Sequence, residues 1–457
     1  MDSRQQQAVE HGEGPLLIVA GPGSGKTYTL VSRIAYLITN YDCSVLGLTY
    51  TKKAADEIYL RSGSHKNVWT GTIHSFCYHL IRGLTQNNDF LNINSKWQLL
   101  EDTTELWKKA CGDIPIALVK TARNLKYPSN PLEKELWEAG KRYANLLKQK
   151  NALDFDILLE LGYKALCDPV VSTRLSKKYR FVLIDEFQDC NKLQYNIIKK
   201  LSKNLTVVGD DDQAIFKFQG AEAHLFASFL TDFPNTKLVK LGTNYRSAQE
   251  IIDLSEKLIG KKKGGGLTRE GIAQLLSFNT PKDLVPWIRT LQSPTILCRA
   301  GWHILRWEAL LIQAGIGYTL TRGKPLLERE SCLAMLRQKD IPFFLKSLKE
   351  PSKDEEILYD LTQYWGNNKE LYKHRPGTIF ISTIHSFKGK EADVVVVSDV
   401  EDGSIPYFKS YNHDWNVEEE KRLLYVAITR AKKELYVTRV LVREKPTQTS
   451  PFWGLLS

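Results

Sequence analysis

The sequence predicts an α/β protein with two parallel-sheet domains, each interrupted by a smaller helical insertion. Three observations predict this fold class. Strand-like apolar runs alternate with helix-like segments near the start of the chain, the alternation resumes after residue 153, and a second alternating pattern begins after residue 266. Such alternation is typical of a parallel sheet that is covered by helices on both faces.

The first domain is predicted from four strands and the helices between them. Strands are expected at 16–20, 45–50, 181–185 and 205–210, and helices at 27–39 and 53–61. Between 83 and 153 the apolar residues recur at helical spacing with no convincing strand, which indicates a helical insertion. We therefore expect the first domain to comprise 1–82 and 154–236, with the insertion at 83–153.

The second domain is predicted from a further series of strands. These are expected at 294–300, 315–323, 377–383, 393–399 and 433–440. The run "GKKKGGG" at 260–266 is expected to be a flexible linker, because its glycines disfavour packing and its lysines repel one another. We expect this domain to comprise 237–337 and 377–445, with a short, mostly polar helical insertion at 338–376 and a C-terminal tail at 446–457.

Composition and charge narrow the class of protein. At 457 residues the chain is too long for one ordinary core. A formal charge of +11 suits a polyanionic partner such as nucleic acid, although an ordinary basic surface is also compatible with it. The seven cysteines include no CxxC pair, which argues against a zinc module or a disulfide framework. With a polar N-terminus and only strand-length apolar runs, we expect a soluble cytoplasmic protein with no membrane partner.

A phosphate-binding loop is predicted where the first strand meets the first long helix. The segment "AGPGSGKT" matches the pattern G-x-x-x-x-G-K-[ST], except that alanine replaces the first glycine. Its main-chain N–H groups would face the phosphates, the lysine would reach the outer phosphates, and the threonine would ligate Mg²⁺. The alternative is a Gly/Ser loop that ends in a helix cap. The predicted nucleotide-binding residues here are Ala20, Gly21, Pro22, Gly23, Ser24, Gly25, Lys26 and Thr27.

Besides the phosphate loop, an ATP-hydrolysing site needs a carboxylate for Mg²⁺ and a general base, and a pair of adjacent acidic residues is the candidate for both. In "FVLIDEFQD" the apolar strand ends at Asp185 and Glu186. We expect Asp185 to hold Mg²⁺ through water and Glu186 to act as the general base, since phosphoryl transfer to water needs both roles. ATP and Mg²⁺ are therefore the predicted cofactors.

The motifs in chain order resemble those of the UvrD/Rep/PcrA-type superfamily 1 DNA helicases. They include "GPLLIVAGPGSGKT", "LTYTKKAADEI", "GTIHSF", "DEFQDCN", "VVGDDDQAIFKFQGA", "NYRS", "STIHSFKGKE" and "EEEKRLLYVAITRAKK". The resemblance covers nearly the whole chain. It implies two RecA-like P-loop domains and an ATP-dependent, DNA-stimulated translocase and helicase that moves 3′→5′ on single-stranded DNA, in repair or replication.

The resemblance also implies roles for further nucleotide-site residues. They are Gln5 for adenine recognition, Arg33 and Tyr245 flanking the nucleotide, Gln213 for sensing the γ-phosphate, Glu391 near the ribose and phosphates, and Arg246 and Arg430 as arginine fingers. Arginine suits the last role because its planar donor fork stays charged and stabilises the transition state of phosphoryl transfer.

A second group of residues is implied for binding single-stranded DNA. The predicted stacking residues are Tyr50, Phe216 and Phe218, and the predicted phosphate contacts are Thr72, His74, Thr383 and His385. The chain departs from the family at Phe218, where tryptophan is usual, and at Gln219, where arginine is usual. Phenylalanine still stacks on a base, but it offers less area.

The predicted partners are single-stranded DNA, DNA with a single-stranded tail, and a protein such as a nuclease or a replication or repair factor. Two alternative functions stay open. One is the motor subunit of a repair or anti-phage defence complex that unwinds poorly alone, and the other is an ATP-dependent nucleic-acid-binding switch. A small-molecule P-loop kinase is disfavoured by the arginine motifs and the basic charge.

Overall fold

The structure is a computed structural model that describes residues 1–87, 96–112, 114, 130–216, 224–267, 269–336, 338, 346, 352–365, 376–408, 410, 414–443 and 445–457. The chain divides into two compact units. Unit one comprises residues 1–18, 27–209 and 219–239, and unit two comprises residues 19–26, 210–218 and 240–457.

The elements of the first half of the chain alternate as predicted. The helices are α1 Ser3–Val9, α2 Lys26–Tyr41, α3 Lys52–Arg61, α4 Ile73–Asn87, α5 Thr104–Cys111, α6 Pro131–Gln149, α7 Phe155–Leu166, α8 Pro169–Lys178, α9 Lys192–Lys199 and α10 Leu225–Asp232. The strands are β1 Leu16–Ala20, β2 Ser44–Thr49, β3 Val68–Thr72, β4 Gln98–Leu99, β5 Ala152–Leu153, β6 Tyr179–Ile184, β7 Asn204–Gly209 and β8 Lys237–Leu241.

The second half of the chain continues the alternation. The helices are α11 Gln249–Ile259, α12 Leu284–Ile288, α13 Gly301–Gln313, α14 Glu330–Leu336, α15 Lys353–Trp365, α16 Ile384–Phe387, α17 Asp414–Ile428 and α18 Pro451–Leu456. The strands are β9 Ile272–Phe278, β10 Thr295–Cys298, β11 Tyr318–Leu320, β12 Ile379–Thr383, β13 Ala392–Val397 and β14 Ala431–Val440.

The first sheet has the strand order β3-β2-β6-β7-β1-β8. The pairs β2–β3, β2–β6 and β6–β7 are parallel, with Leu48 opposite Ile184 in the β2–β6 register. Residues 181–184 of β6 are fully buried, as expected for a strand covered on both faces. Because parallel strands end at a common edge, Tyr50 after β2 and Asp185 after β6 lie at the same edge of this sheet.

The predicted helical insertion contains α5 and α6, which pack on each other. Trp107 of α5 and Tyr143 of α6 are buried, and their ring centroids lie 5.0 Å apart. The expectation that this segment has no strand is wrong in a small respect. The two-residue strands β4 and β5 pair in parallel near its two ends, and neither is long enough to give a recognisable sequence pattern.

The second sheet has the strand order β11-β12-β10-β13-β14-β9, and each of its neighbouring pairs is parallel. Its centre is apolar: Val395, Val396 and Val397 of β13 are fully buried. Helix α17 is also buried over residues 423–428, where apolar residues occupy every position. The predicted fold class, two parallel-sheet α/β domains with small helical insertions, is confirmed.

The prediction of a flexible linker at 260–266 is wrong. The Gly264 N–H donates to Glu256 Oε1 at 3.1 Å, and the Gly265 carbonyl oxygen accepts from the Asn244 N–H at 3.0 Å. The Lys263 ammonium donates to Asp210 Oδ1 at 2.7 Å. These bonds fix the segment, because the lysine charge is paired with carboxylates and does not repel its neighbours.

The predicted C-terminal tail ends in helix α18, whose Phe452, Trp453 and Leu456 are buried in the same core as α11 and α17. The domain boundaries drawn from the sequence stay predictions. In the described parts of the chain, no helix combines the length and the apolarity needed to cross a bilayer.

Candidate nucleotide and nucleic-acid sites

The predicted phosphate loop forms a tight turn between β1 and α2. Gly23 and Gly25 take positive φ angles of 70° and 79°, which residues with a side chain rarely adopt. A Cβ atom on Gly23 would also lie 2.4 Å from Asn244 Oδ1. The Lys26 ammonium, in the first turn of α2, donates to the Ala20 carbonyl oxygen at 3.1 Å. A glycine-rich turn at a helix N-terminus can direct main-chain N–H groups at phosphates, so the residues of this turn fit ATP.

The segment 244–246 packs on this turn within unit two. The Tyr245 N–H donates to the Gly23 carbonyl oxygen at 2.8 Å, and Asn244 Oδ1 accepts from the Arg246 N–H at 2.8 Å. Arg246 Nε donates to Glu391 Oε2 at 2.6 Å. The structure thus places Tyr245 and Arg246 beside the phosphate loop, and Glu391 beside Arg246.

Glu391 is held between two cations. Its other carboxylate oxygen pairs with the Lys432 ammonium at 2.6 Å. Partial burial raises the pKa of Glu391, but Lys432 and Arg246 outweigh that effect and keep the pKa below its ordinary value. The carboxylate is therefore ionised at neutral pH, and it fixes the direction of the Arg246 side chain.

The predicted γ-phosphate sensor and the second predicted arginine finger contact each other. Gln213 Oε1 accepts from Arg430 Nη2 at 3.1 Å, and Gln213 Nε2 donates to Asp210 Oδ2 at 2.8 Å. The Lys388 ammonium donates to the Gln213 carbonyl oxygen at 2.7 Å. Arg430 is buried, and its Nε donates to the Val426 carbonyl oxygen at 2.9 Å. A shift of Gln213 would therefore act directly on Arg430.

The carboxylate pair follows β6 in unit one. The Asp185 N–H donates to the Leu48 carbonyl oxygen at 2.8 Å, which extends the β2–β6 pairing by one bond. Asp185 is buried, and its Oδ1 accepts from the Glu186 N–H at 3.0 Å. The chain then turns sharply, because Glu186 has the left-handed backbone angles φ 50° and ψ 44°.

The two residues predicted to hold Mg²⁺, Thr27 and Asp185, supply only one hydroxyl and one carboxylate. No group of three or more His, Cys, Asp or Glu side chains in the described segments could hold a metal ion. Thr27 and Asp185 instead fit the type of magnesium site in which phosphate oxygens and water supply the other ligands. The buried Asp185 carboxylate at the strand end has the chemistry that this role needs.

Gln5 and Arg33 have structural contacts in unit one. Gln5 is buried, and its Oε1 accepts from the Asp2 N–H at 3.0 Å in the capping box of α1. Burial lowers the pKa of Arg33 to about 10. Its guanidinium donates to Thr206 Oγ1 at 3.0 Å and to main-chain carbonyl oxygens at Ala8, Val9 and His11. Arg33 thus holds the segment that carries Gln5, and a direct nucleotide contact by either residue stays a prediction.

A cavity of about 340 Å³ opens in unit one beside the carboxylate pair. The structure brings three of the predicted DNA contacts to its wall, namely Tyr50, Thr72 and His74. Asp185 and Glu186 also line it. The volume lies in the range of small-ligand pockets, and the wall combines aromatic rings with polar and acidic groups.

Two residues of this cavity were missed by the reasoning from sequence. Phe155 lines the cavity, is 38% exposed, and lies edge-on to His74 with centroids 5.2 Å apart. Thr49 is 3% exposed, and its Oγ1 has no hydrogen-bond partner within the described part of the chain. An aromatic residue directly after the helix N-cap Asp154 was the available signal for Phe155. Nothing in the local pattern indicates Thr49.

The paired motifs "GTIHSF" and "STIHSF" adopt the same local structure. Thr72 ends β3 and its Oγ1 accepts from the Ser75 N–H at 3.0 Å, while Thr383 ends β12 and its Oγ1 accepts from the Ser386 N–H at 3.2 Å. In both motifs the threonine caps a helix that begins with Ile-His. The same strand-to-helix turn therefore presents one histidine in each unit.

Burial keeps both of these histidines neutral near pH 7. It lowers the pKa of His74, partly opposed by Asp156. It also lowers the pKa of His385, and with the charges of Arg299 and Lys388 brings it to about 4. Phe216 lies 6.2 Å from the His385 ring, and the Lys388 ammonium lies 4.8 Å from the Phe216 centroid. The predicted stacking residue Phe218 lies outside the described residues.

Comparison with known proteins identifies the family. Residues 1–234 match the UvrD/REP helicase N-terminal domain, and residues 344–441 match the UvrD-like helicase C-terminal domain. The first match alone covers about half of the chain.

Similar curated proteins are ATP-dependent DNA helicases. UvrD1 of Mycobacterium tuberculosis (strain ATCC 25618 / H37Rv) is 24% identical over 97% of this chain and 82% of its own length. Rep of Buchnera aphidicola is 25% identical, covering 96% of this chain and 93% of its own length. PcrA of Bacillus subtilis is 25% identical over 96% of this chain and 82% of its own length.

The alignments extend over 613 to 645 positions, whereas this chain has 457 residues, so the relatives contain segments that this chain lacks. The resemblance inferred from the motifs is confirmed, and with it the enzyme class at the level of the family. The chain belongs to the UvrD/Rep/PcrA-type helicase family.

Proposed function

We propose that this protein is an ATP-dependent DNA helicase that translocates 3′→5′ along single-stranded DNA and separates duplex ahead of it. The observation that carries the proposal is the packing of Tyr245 and Arg246 on the phosphate-loop turn at Gly23. A phosphate cradle with an arginine and an aromatic ring beside it suits a nucleoside triphosphate whose terminal phosphate is to be cleaved.

For hydrolysis, each site residue has a separate task. Lys26 reaches the outer phosphates, Glu186 takes the proton of the attacking water, and Arg246 with Arg430 stabilises the charge on the transferred group. Thr27 and Asp185 would hold Mg²⁺, which neutralises phosphate charge when bound. Gln213 links this chemistry to the rest of unit two, because Arg430 and Lys388 both bond to it.

For DNA, the cavity in unit one supplies base contacts. We assign base stacking to Tyr50 and to the exposed ring of Phe155, each stack contributing about 1–3 kcal/mol. Thr49 Oγ1 in the cavity wall has no hydrogen-bond partner among the described residues, which supports a polar ligand there. Neutral His74 and His385 would donate N–H bonds to the phosphates of the DNA backbone. Phe216 and Phe218 would stack on further bases.

A second candidate function is a motor that strips or moves along DNA as part of a larger complex. It is favoured by the length of the alignments, since the missing segments leave this chain smaller than its relatives. In that case a nuclease or a replication or repair factor would supply what efficient unwinding needs. A cytoplasmic location follows from either function and stays a prediction.

The test compares unwinding of 3′-tailed, 5′-tailed and blunt duplex DNA by the purified chain with ATP and Mg²⁺. We expect displacement of the 3′-tailed duplex alone, because the motor must load on a single strand and move in one direction. Lys26→Ala serves as the inactive control. Equal displacement of 3′- and 5′-tailed duplexes would contradict the direction, and ATP turnover without any displacement would favour the motor-subunit function.

A further inference from the structure

Glu186, the proposed general base, lies in a turn that its own backbone does not favour. A residue with a Cβ pays a cost of roughly 1–2 kcal/mol in the left-handed region, and Glu186 has φ 50° there. The turn continues as one 3₁₀ turn over Phe187–Asp189, closed by a 3.0 Å bond from the Asp189 N–H to the Glu186 carbonyl oxygen. Some packing or bonding beyond the backbone must therefore hold it.

The aromatic residue of the turn anchors it in the core. Phe187 is fully buried and stacks on Phe226, with centroids 5.7 Å apart and planes 15° apart. Phe229 and Tyr195 meet the same ring edge-on. These ring contacts fix the backbone of the turn, whereas the direction of the Glu186 carboxylate depends on polar contacts.

The next residue supplies such a contact. Gln188 is 3% exposed, and its Nε2 donates to Glu186 Oε2 at 2.6 Å. A buried amide that donates to a carboxylate forms a charge-assisted bond, which is short and directional. The sequence motif "DEFQD" contains this glutamine, but neither the fold nor the proposed reaction explains it.

Gly209 lies against the other end of the Gln188 amide, at its oxygen. A Cβ atom on Gly209 would lie 2.2 Å from Gln188 Oε1 and 3.0 Å from Phe226 Cζ. Gly209 ends β7, and its φ is not among the positive values of the chain. Space for the amide therefore explains a glycine here better than backbone freedom does.

We propose that Gln188 is a positioning residue for ATP hydrolysis: its amide directs the Glu186 carboxylate toward the attacking water, and the bare Gly209 makes room for the amide. This inference rests on the proposed function, because the role of Glu186 as base does. Gln188 acts through Glu186 and contacts neither the nucleotide nor the water itself.

The first test is steady-state ATPase of the full chain with saturating single-stranded DNA. Gln188→Met keeps the side-chain length and removes the donor, and Gly209→Ala displaces the amide from the other side. We expect each to lower kcat by about 10- to 100-fold, the worth of one hydrogen bond to a charged group. KM for ATP and the affinity for a fluorescent ATP analogue should change less than about twofold, because neither residue binds nucleotide.

Two matched controls separate this role from general damage. Gln6→Met also removes a glutamine-to-glutamate bond, the exposed 2.9 Å contact with Glu10. Gly83→Ala adds a methyl group where nothing lies within 4 Å. Both should keep kcat within about twofold of the natural chain, and all variants should be compared for their unfolding midpoint.

The second test is a double-mutant cycle. In a Glu186→Gln background, Gln188→Met should cause no further loss of the residual turnover, because the group that it positions is already gone. Full turnover in Gln188→Met, or an equal loss in the Glu186→Gln background, would overturn the inference. A natural chain with no DNA-stimulated turnover would overturn the proposed function itself, which is a distinct result.

Discussion

At the scale of single residues, the histidines of the paired motifs are neutral because they are partly buried. His385 has a pKa of about 4, caused first by burial and then by the nearby charges of Arg299 and Lys388. A neutral imidazole can donate one hydrogen bond to a phosphate without adding to the salt dependence of binding. The arginines and lysines must therefore supply the electrostatic part of DNA affinity.

This burial predicts an acid-sensitive fold. With a folded pKa of about 4 and an unfolded value of 6.5, the unfolded chain binds more protons between these pH values, so stability falls as pH falls through that window. The slope from this site alone is at most about 1.4 kcal/mol for each pH unit. Denaturant unfolding from about pH 7.5 to about pH 5 should show less acid loss in His385→Gln than in the natural chain. An identical pH slope in both proteins would contradict the burial argument.

At the scale of elements, the loop 260–266 ties the acidic turn after β7 to the rest of unit two. Lys263 bonds to Asp210 and Asp212, both buried, and Lys261 bonds to Asp212 at 3.1 Å. Burial lowers the pKa of Lys263, but the two carboxylates outweigh it and raise the pKa to about 12. The lysine is therefore charged, and it neutralises two carboxylates next to Gln213.

Removing that charge should destabilise the protein. Lys263→Met leaves the buried Asp210 carboxylate without this cation, and we expect a loss of roughly 2–4 kcal/mol in unfolding free energy. Lys262→Met is the matched control, because Lys262 is an exposed neighbour in the same run. Denaturant unfolding of the two variants measures the difference. Equal stability of both variants would show that the ion pairs contribute nothing.

In the first sheet, the strands that the sequence pattern predicted are the four interior ones. The strand expected at 16–20 is β1 residue for residue, and those at 45–50, 181–185 and 205–210 match β2, β6 and β7 to within two residues. The missed strands β3, β8 and β9 all lie at sheet edges. An edge strand is partly exposed, so its apolar run is interrupted, as by the threonines and glycine of β3.

At the scale of the whole molecule, the ordered motifs predicted the family, but the contacts among them needed the structure. Local patterns identify a phosphate loop and a carboxylate pair because each is one turn of chain. They cannot show that Arg430 bonds to Gln213, 217 residues away, or that Phe155 faces His74. Such contacts join residues that are far apart in the sequence. They depend on how the helices pack on the sheets, and a short local pattern does not determine that packing.

We propose that ATP hydrolysis by this chain drives movement along a single strand of DNA. The most direct measurement is steady-state ATP turnover as a function of strand length, at saturating DNA, with Glu186→Gln as the control that should bind nucleotide and not turn it over. We expect turnover that rises with strand length and then levels off, because a moving motor hydrolyses more ATP on a longer strand before it dissociates. Turnover that is stimulated equally by short and long strands would contradict it and point to a switch.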